Sequence, residues 1–216
     1  MLDRAELAAA LATVGLGRVD GIWWRAVGHR LLLGPPPGAP PGSRPQPLWA
    51  EGASRFGARF TPTRGPPTVY LASDDRTALL EVNAILAIPH GPPLAAGAEP
   101  YTMCQVRVSL GRVLDLRAQG VQAALGTNTD EMIANWRVAA ATGQRPATHV
   151  LGRAAHASMQ IAALLSHSAK NAERGAILAV FPDRLVDGDF IEVIDASGTL
   201  AQRLPSPRYI ARSRMK

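Results

Sequence analysis

The chain has 216 residues, 47% of them apolar and 19% charged, which suits one domain with a buried core and excludes a disordered chain. A single cysteine, Cys104, rules out an internal disulfide and a cysteine-built zinc site, and it fits a reducing, cytoplasmic setting. The formal net charge of +6 favours anionic partners, but the arginines are scattered, and the one basic cluster is Arg208, Arg212, Arg214 and Lys216 near the end.

In chain order, Asp3 caps a short helix over residues 3–14, with Leu7, Ala10, Leu11 and Val14 on one face. No signal-type apolar segment precedes it, and no run of eighteen apolar residues offers a membrane span. Residues 21–28 read as a strand dense in large apolar groups around Arg25. A Pro/Gly-rich insertion follows at 34–47, where proline forbids both helix and ladder. The pattern then predicts a short strand at Arg59–Phe60, a turn at 65–67 and a strand at 68–72. Ser73 or Asp74 starts a helix that runs to Ala87 before Pro89. Strands are expected at 106–110 and 113–116, broken by Gly111, and helices at 129–141 and 150–159. Further strands are expected at 161–165, 176–181 and 190–195. Short strands and helices without a βαβ rhythm predict a single α+β domain over 1–216, core about 20–196, with a mixed or mostly antiparallel sheet and flanking helices.

The usual motifs are missing. No GxGxxG follows a strand, and there is no Walker loop, HExxH or GxSxG. His149 and His156 lie seven apart on one helix, but no third ligand accompanies them, so no metal site is expected.

What is present is an ordered set. GARFTPTRGPPTVYLASDDRTALLEV carries Arg59 with Phe60, then Tyr70, then Glu81. NWR follows at 135–137, ATHVLGRAA at 147–155, and LLSHSAK at 164–170 carries Ser168. This set resembles the RES-domain family, named for an arginine, a glutamate and a serine, from Trp24 to about Leu185. The sequence departs from the family pattern in six places: the Arg59-to-Tyr70 loop is one residue longer near Arg64, the Pro/Gly-rich insertion lies outside the family core, and four residues differ. Phe60 stands where tryptophan is common, Thr61 replaces an asparagine, His167 a proline, and Lys170 an arginine. The resemblance implies an ADP-ribosyltransferase-like fold and a toxin that degrades NAD⁺, neutralised by a cognate antitoxin of the Xre/MbcA-like type. It also implies a homo-oligomer or a hetero-complex, with NAD⁺ as substrate and no bound cofactor.

The residue types suit that chemistry. Breaking the nicotinamide–ribose bond builds oxocarbenium charge on the sugar, which a carboxylate such as Glu81, read here as mid-helix, stabilises. The pyrophosphate calls for a guanidinium fork, Arg59 on a strand edge. Tyr70 offers a ring to the cationic nicotinamide, and Ser168 a hydroxyl to a phosphate or ribose oxygen. Arg25 and Lys170 are further candidate contacts, with inorganic phosphate a candidate acceptor. Each residue alone is ordinary: a solvated glutamate, a strand aromatic, an ion-pairing arginine. Ser166, two residues from Ser168, shares its strand face. The four tryptophans read as core or rim packing. Three functions stay open: an NAD⁺-consuming enzyme acting with phosphate or water, a protein ADP-ribosyltransferase, and a non-catalytic or nucleic-acid-binding protein.

Overall fold

The computed structural model describes residues 1–34, 44–86, 94–95 and 99–205. Most of the Pro/Gly-rich insertion, the expected helix end near Pro89, and the basic tail lie outside these residues. Seven α-helices are described: α1 (Arg4–Thr13), α2 (Glu51–Phe56), α3 (Asp75–Glu81), α4 (Gln119–Ala124), α5 (Thr129–Ile133), α6 (Trp136–Ala141) and α7 (Ala147–Ala157). The strands are β1 (Gly17–Gly28), β2 (Val69–Ala72), β3 (Ile85–Leu86), β4 (Leu94–Ala95), β5 (Tyr101–Asp115), β6 (Ala163–His167), β7 (Ala176–Val180), β8 (Phe190–Val193) and β9 (Arg203–Leu204). No helix among the described residues is long and apolar enough to cross a membrane.

The main sheet has the order β1-β2-β7-β6-β5-β8-β9, and β1 also pairs with β5, so β1-β2-β7-β6-β5 close on themselves. Only β5–β6 is parallel, which makes this the mixed α+β architecture expected. Closure is strong on one side and sparse on the other. β1 and β5 run together from Gly28↔Tyr101 to Gly17↔Val113, whereas β1 meets β2 only at Trp24↔Ala72. Along β5, Cys104, Val106, Val108 and Leu110 point inward while Gln105 and Arg107 face solvent, the period-2 signature of a half-buried strand. Gly111 does not break this strand. Two steps on β1 oppose three on β5 there, a bulge that shifts the alternation by one residue, so that Val113 rather than Arg112 follows Val106, Val108 and Leu110 into one core while Leu114 enters the other.

One core fills the closed strands, with Val69, Leu71, Leu178 and Val180 from β2 and β7. The other lies between the outer face of β6–β7 and helices α1 and α7, with Phe60, Leu164, Phe181, Leu7 and Leu151 all fully buried. In α7, Thr148, Leu151, Gly152 and Ala155 form the buried stripe at helical spacing. His149 and His156 sit on separate contacts: His149 Nε2 meets Ala58 O at 3.0 Å, and His156 Nε2 meets Asp183 Oδ2 at 2.8 Å.

Three other expectations are corrected. The helix after β2 is capped by Asp74, one of the two expected caps, but stops at Glu81 rather than running to Ala87. Asn83 adopts left-handed backbone (φ 56°), Ala84 N reaches Leu79 O and Asn83 N reaches Leu80 O, a Schellman end with asparagine in place of glycine. Residues 129–141 form two helices, because the Asn135 side chain accepts the N–H groups of Arg137 and Val138 and starts a new one. Arg59–Phe60 is no strand but the tip of a tight turn closed by the Ala58↔Thr61 bridge.

α7 packs directly on that turn. A Cβ on Gly152 would lie 1.9 Å from Phe60 O, so only glycine allows this approach. Gly152→Ala should therefore destabilise the fold by roughly 1–3 kcal/mol or more, read as a lower urea midpoint at unchanged slope.

Candidate active site

A cleft of about 800 Å³ opens on the outer face of β1 and β2, between α3, α2 and the α5–α6 break. Arg25, Arg59, Tyr70, Glu81 and Lys170, scattered over 146 positions of sequence (25 to 170), all line it. Ser168 does not.

Arg59 is held at the turn tip because Phe60 beside it is sunk in the core. Its guanidinium is buried, and one terminal nitrogen donates to Met132 O at 2.9 Å. That bond ties the end of α5 to the turn. Burial lowers the Arg59 pKa, while the nearby Glu81 charge works the other way.

Tyr70 braces the same turn. Its hydroxyl accepts the Phe60 N–H at 2.9 Å and lies 3.0 Å from Thr61 Oγ1. Thr68 Oγ1 donates to Pro66 O, and Thr61 Oγ1 donates to Thr68 Oγ1, so the remaining proton, that of Tyr70, goes to Thr61. Burial pushes the phenol up to about 12.

Arg25 extends the sparse β1–β2 junction. Its two terminal nitrogens donate to Tyr70 O (2.9 Å) and Trp49 O (3.3 Å), and burial draws its pKa down to about 10. Both bonds are to backbone, so much of its hydrogen-bonding capacity holds the cleft wall.

Glu81 is not mid-helix but the last residue of α3, where unpaired carbonyls disfavour a carboxylate. Ser168 Oγ compensates by donating to Glu81 Oε1 at 2.6 Å. The same oxygen accepts the N–H groups of Lys170 (3.1 Å) and Asn171 (3.0 Å). With both lone-pair directions taken, the hydroxyl proton is committed to Glu81. The serine is fully buried behind the carboxylate and is not placed to touch a ligand directly. Ser166 has no such bond; its hydroxyl turns to His167 O. Lys170 is exposed at the cleft lip.

Sequence reasoning used NWR as a landmark and missed its chemistry. Arg137 lines the cleft with its guanidinium 4.6 Å over the Trp136 ring, and Trp136 leans on His149 at 5.2 Å. Trp24 and Trp49 also line the cleft. The tryptophan-arginine neighbours in sequence were the available signal, but their aim depended on the helix break at Ala134.

A family model described as the RES domain matches residues 22–201. The chain belongs to the RES-domain family. No curated protein sequence matches it. Among solved structures, a chain from the crystal structure of the M. tuberculosis MbcT–MbcA toxin–antitoxin complex aligns with a TM-score of 0.53 at 17% identity, covering 98% of each chain. At that identity the likeness is one of fold. Within this RES domain the arginine and glutamate of the motif line the cleft, and the serine reaches it through the glutamate.

Tyr70→Phe leaves the Phe60 N–H without its acceptor, so it should cost about 1–2 kcal/mol of stability rather than behave as a silent ring-preserving change. Because the folded phenol titrates near 12 against an ordinary 10.0, the unfolded chain loses this proton first as pH rises. Stability is thus unaffected by this group below pH ~10 and falls by on the order of 2 kcal/mol toward pH ~12. The Tyr70→Phe protein should lack that alkaline decline, measured by urea titration at each pH.

Proposed function

We propose that this RES-domain chain consumes NAD⁺ by breaking the bond between nicotinamide and ribose. The observation that carries the reading is the charge pattern of the cleft: among the described residues Glu81 is the one carboxylate that lines it, alongside Arg25, Arg59, Arg137 and Lys170. Such a wall suits a diphosphate-bearing substrate on which a single positive centre must develop.

In this reading Arg59 and Arg137 hold the pyrophosphate, and the Tyr70 ring lies against the nicotinamide. The glycosidic C–N bond breaks with its electron pair leaving on nicotinamide, which departs neutral. Positive charge passes to the ribose carbon, facing the carboxylate that Ser168 orients. A phosphate oxygen then bonds to that carbon and gives ADP-ribose 1″-phosphate; water, releasing one proton to solvent, gives ADP-ribose instead. Beyond Glu81, which faces the sugar in this reading, the described lining residues offer no obvious base, and an electrophile this reactive needs little nucleophile activation.

The fold neighbour belongs to a toxin–antitoxin complex, which supports a toxin role here with a cognate antitoxin as partner. Phe56 on the cleft lip and Val138 beside Arg137 are 75% and 58% exposed, apolar surface that a covering protein would bury. A macromolecular acceptor of ADP-ribose is favoured by the same surface and is the second reading.

Pure protein with NAD⁺ at varied phosphate, followed by mass spectrometry, tests the proposal. Loss of NAD⁺ with phosphate-dependent ADP-ribose 1″-phosphate is expected. Free ADP-ribose at every phosphate level makes water the acceptor, label on added protein makes it a transferase, and intact NAD⁺ throughout rejects the reading. Glu81→Gln should slow NAD⁺ loss by roughly 100-fold or more with little change in KM. A variant within a few-fold of the parent removes Glu81 from the mechanism.

A further inference from the structure

Ser168 holds Glu81, and a second line of hydrogen bonds holds Ser168. Asp74, Thr77 and Glu81, at i, i+3 and i+7, share the face of α3 that meets the segment after β6. Thr77 is fully buried. Its Oγ1 donates to Asp74 Oδ2 at 2.7 Å and accepts from Asn171 Nδ2 at 2.8 Å. Asp74 is itself fixed: Oδ1 accepts Thr77 N (2.7 Å) as the helix cap, and Oδ2 accepts Ser73 Oγ (2.8 Å). Ser73 Oγ in turn accepts Ala176 N at 2.9 Å, at the start of β7. Asn171 closes the loop at its other end, where its carbonyl accepts Gly175 N at 2.7 Å. A Cβ on Gly175 would stand 2.4 Å from Thr77 Oγ1, so the loop backbone lies directly on the threonine.

Residues 168–175 are therefore clamped to α3 twice, by Asn171–Thr77 toward the helix start and by Ser168–Glu81 at its end. The two clamps are joined because the Asn171 N–H is one of the two donors that fix Ser168 Oγ. Neither Thr77 nor Asn171 lines the cleft. We propose that Thr77 and Asn171 are positioning residues that act through Ser168 to aim the Glu81 carboxylate. This inference rests on the role given to Glu81 above. The hydroxyl of Thr77 is the hinge pin: it receives the Asn171 side-chain amide and passes its own proton to the cap of α3. Removing it frees the Asn171 side chain, lets the Ser168 acceptor geometry drift, and turns the carboxylate from the sugar without removing any group that touches substrate.

Thr77→Val keeps shape and removes both bonds; Thr77→Ser keeps the hydroxyl. The expected result is a kcat for NAD⁺ loss lowered ~10-fold or more in Thr77→Val at a KM within about 2-fold, with Thr77→Ser close to the parent. Joined to Ser168→Ala, Thr77→Val should add less than about 2-fold, since both break one line of coupling. Parent-like kcat in Thr77→Val, or full additivity in the double variant, overturns the proposal. Amide hydrogen exchange reads the clamp without any activity. Thr77→Val should speed exchange at Lys170 and Asn171, the two amides bonded to Ser168 Oγ, by ~10-fold or more while β7 amides keep their rates. Unchanged exchange there overturns the clamp even in an active enzyme. Faster exchange in a protein that leaves NAD⁺ intact upholds the clamp and rejects only the NAD⁺ reading. Asn171→Ala, at a half-buried position, replaces Thr77→Val in both measurements if the valine protein does not fold.

Discussion

One hydroxyl proton organises the cleft. Ser168 Oγ accepts two backbone N–H groups, so its own hydrogen has a single destination, Glu81 Oε1. A carboxylate at a helix C-terminus otherwise meets the negative end of the helix and the carbonyls left open there. A short charge-assisted bond from a buried donor offsets that and fixes which oxygen faces inward. The price is rigidity, since Ser168 must sit in a loop whose backbone cannot shift. That requirement reaches through Asn171, Thr77 and Asp74 to the far end of α3.

The opposite wall is built on a different principle, apolar anchoring of a cation. Arg59 can be buried because its neighbour Phe60 occupies the outer core under α7, and because Met132 O and the Glu81 charge compensate the guanidinium. Burying a phenylalanine contributes on the order of 1.5–3 kcal/mol, enough to hold a two-residue turn in place. Tyr70 completes the wall by taking the Phe60 N–H, so the ring that faces the cleft and the turn that carries the arginine are one hydrogen-bonded unit. Gly152 permits it, since any side chain there would meet the turn backbone.

Arg25 and Arg137 divide the labour of positive charge. Arg25, inside the wall, spends its terminal nitrogens on the carbonyls of Tyr70 and Trp49 where strand pairing has run out. Arg137, outside it, lies over Trp136 at the cleft surface. A guanidinium stacked on a ring is oriented at low entropic cost, which suits the pyrophosphate contact proposed for it. The same residue type thus sits within the wall or on the cleft surface according to its depth.

Several of these features were legible in the sequence. The alternation in β5, the caps Asp3 and Asp74, and the order of Arg59, Tyr70, Glu81, NWR and Ser168 are local, and local signals report what a segment prefers. The asparagines 83 and 135, which end one helix and start another, were visible too, yet each competes with a helical pattern that continues past it, and only the folded chain shows which prevails. Gly111 reads as a break because glycine weakens an isolated strand; with β1 along one edge and β6 and β8 along the other, the ladder carries through it. Residue types and their order were the sequence's own contribution, and they were enough for the family. The partnership of Ser168 with Glu81 was not, because it spans 87 positions and exists only once β6, β7 and α3 are packed together. Side-chain identity determines what a group can donate or accept; closure of the sheet decides which partner stands within reach.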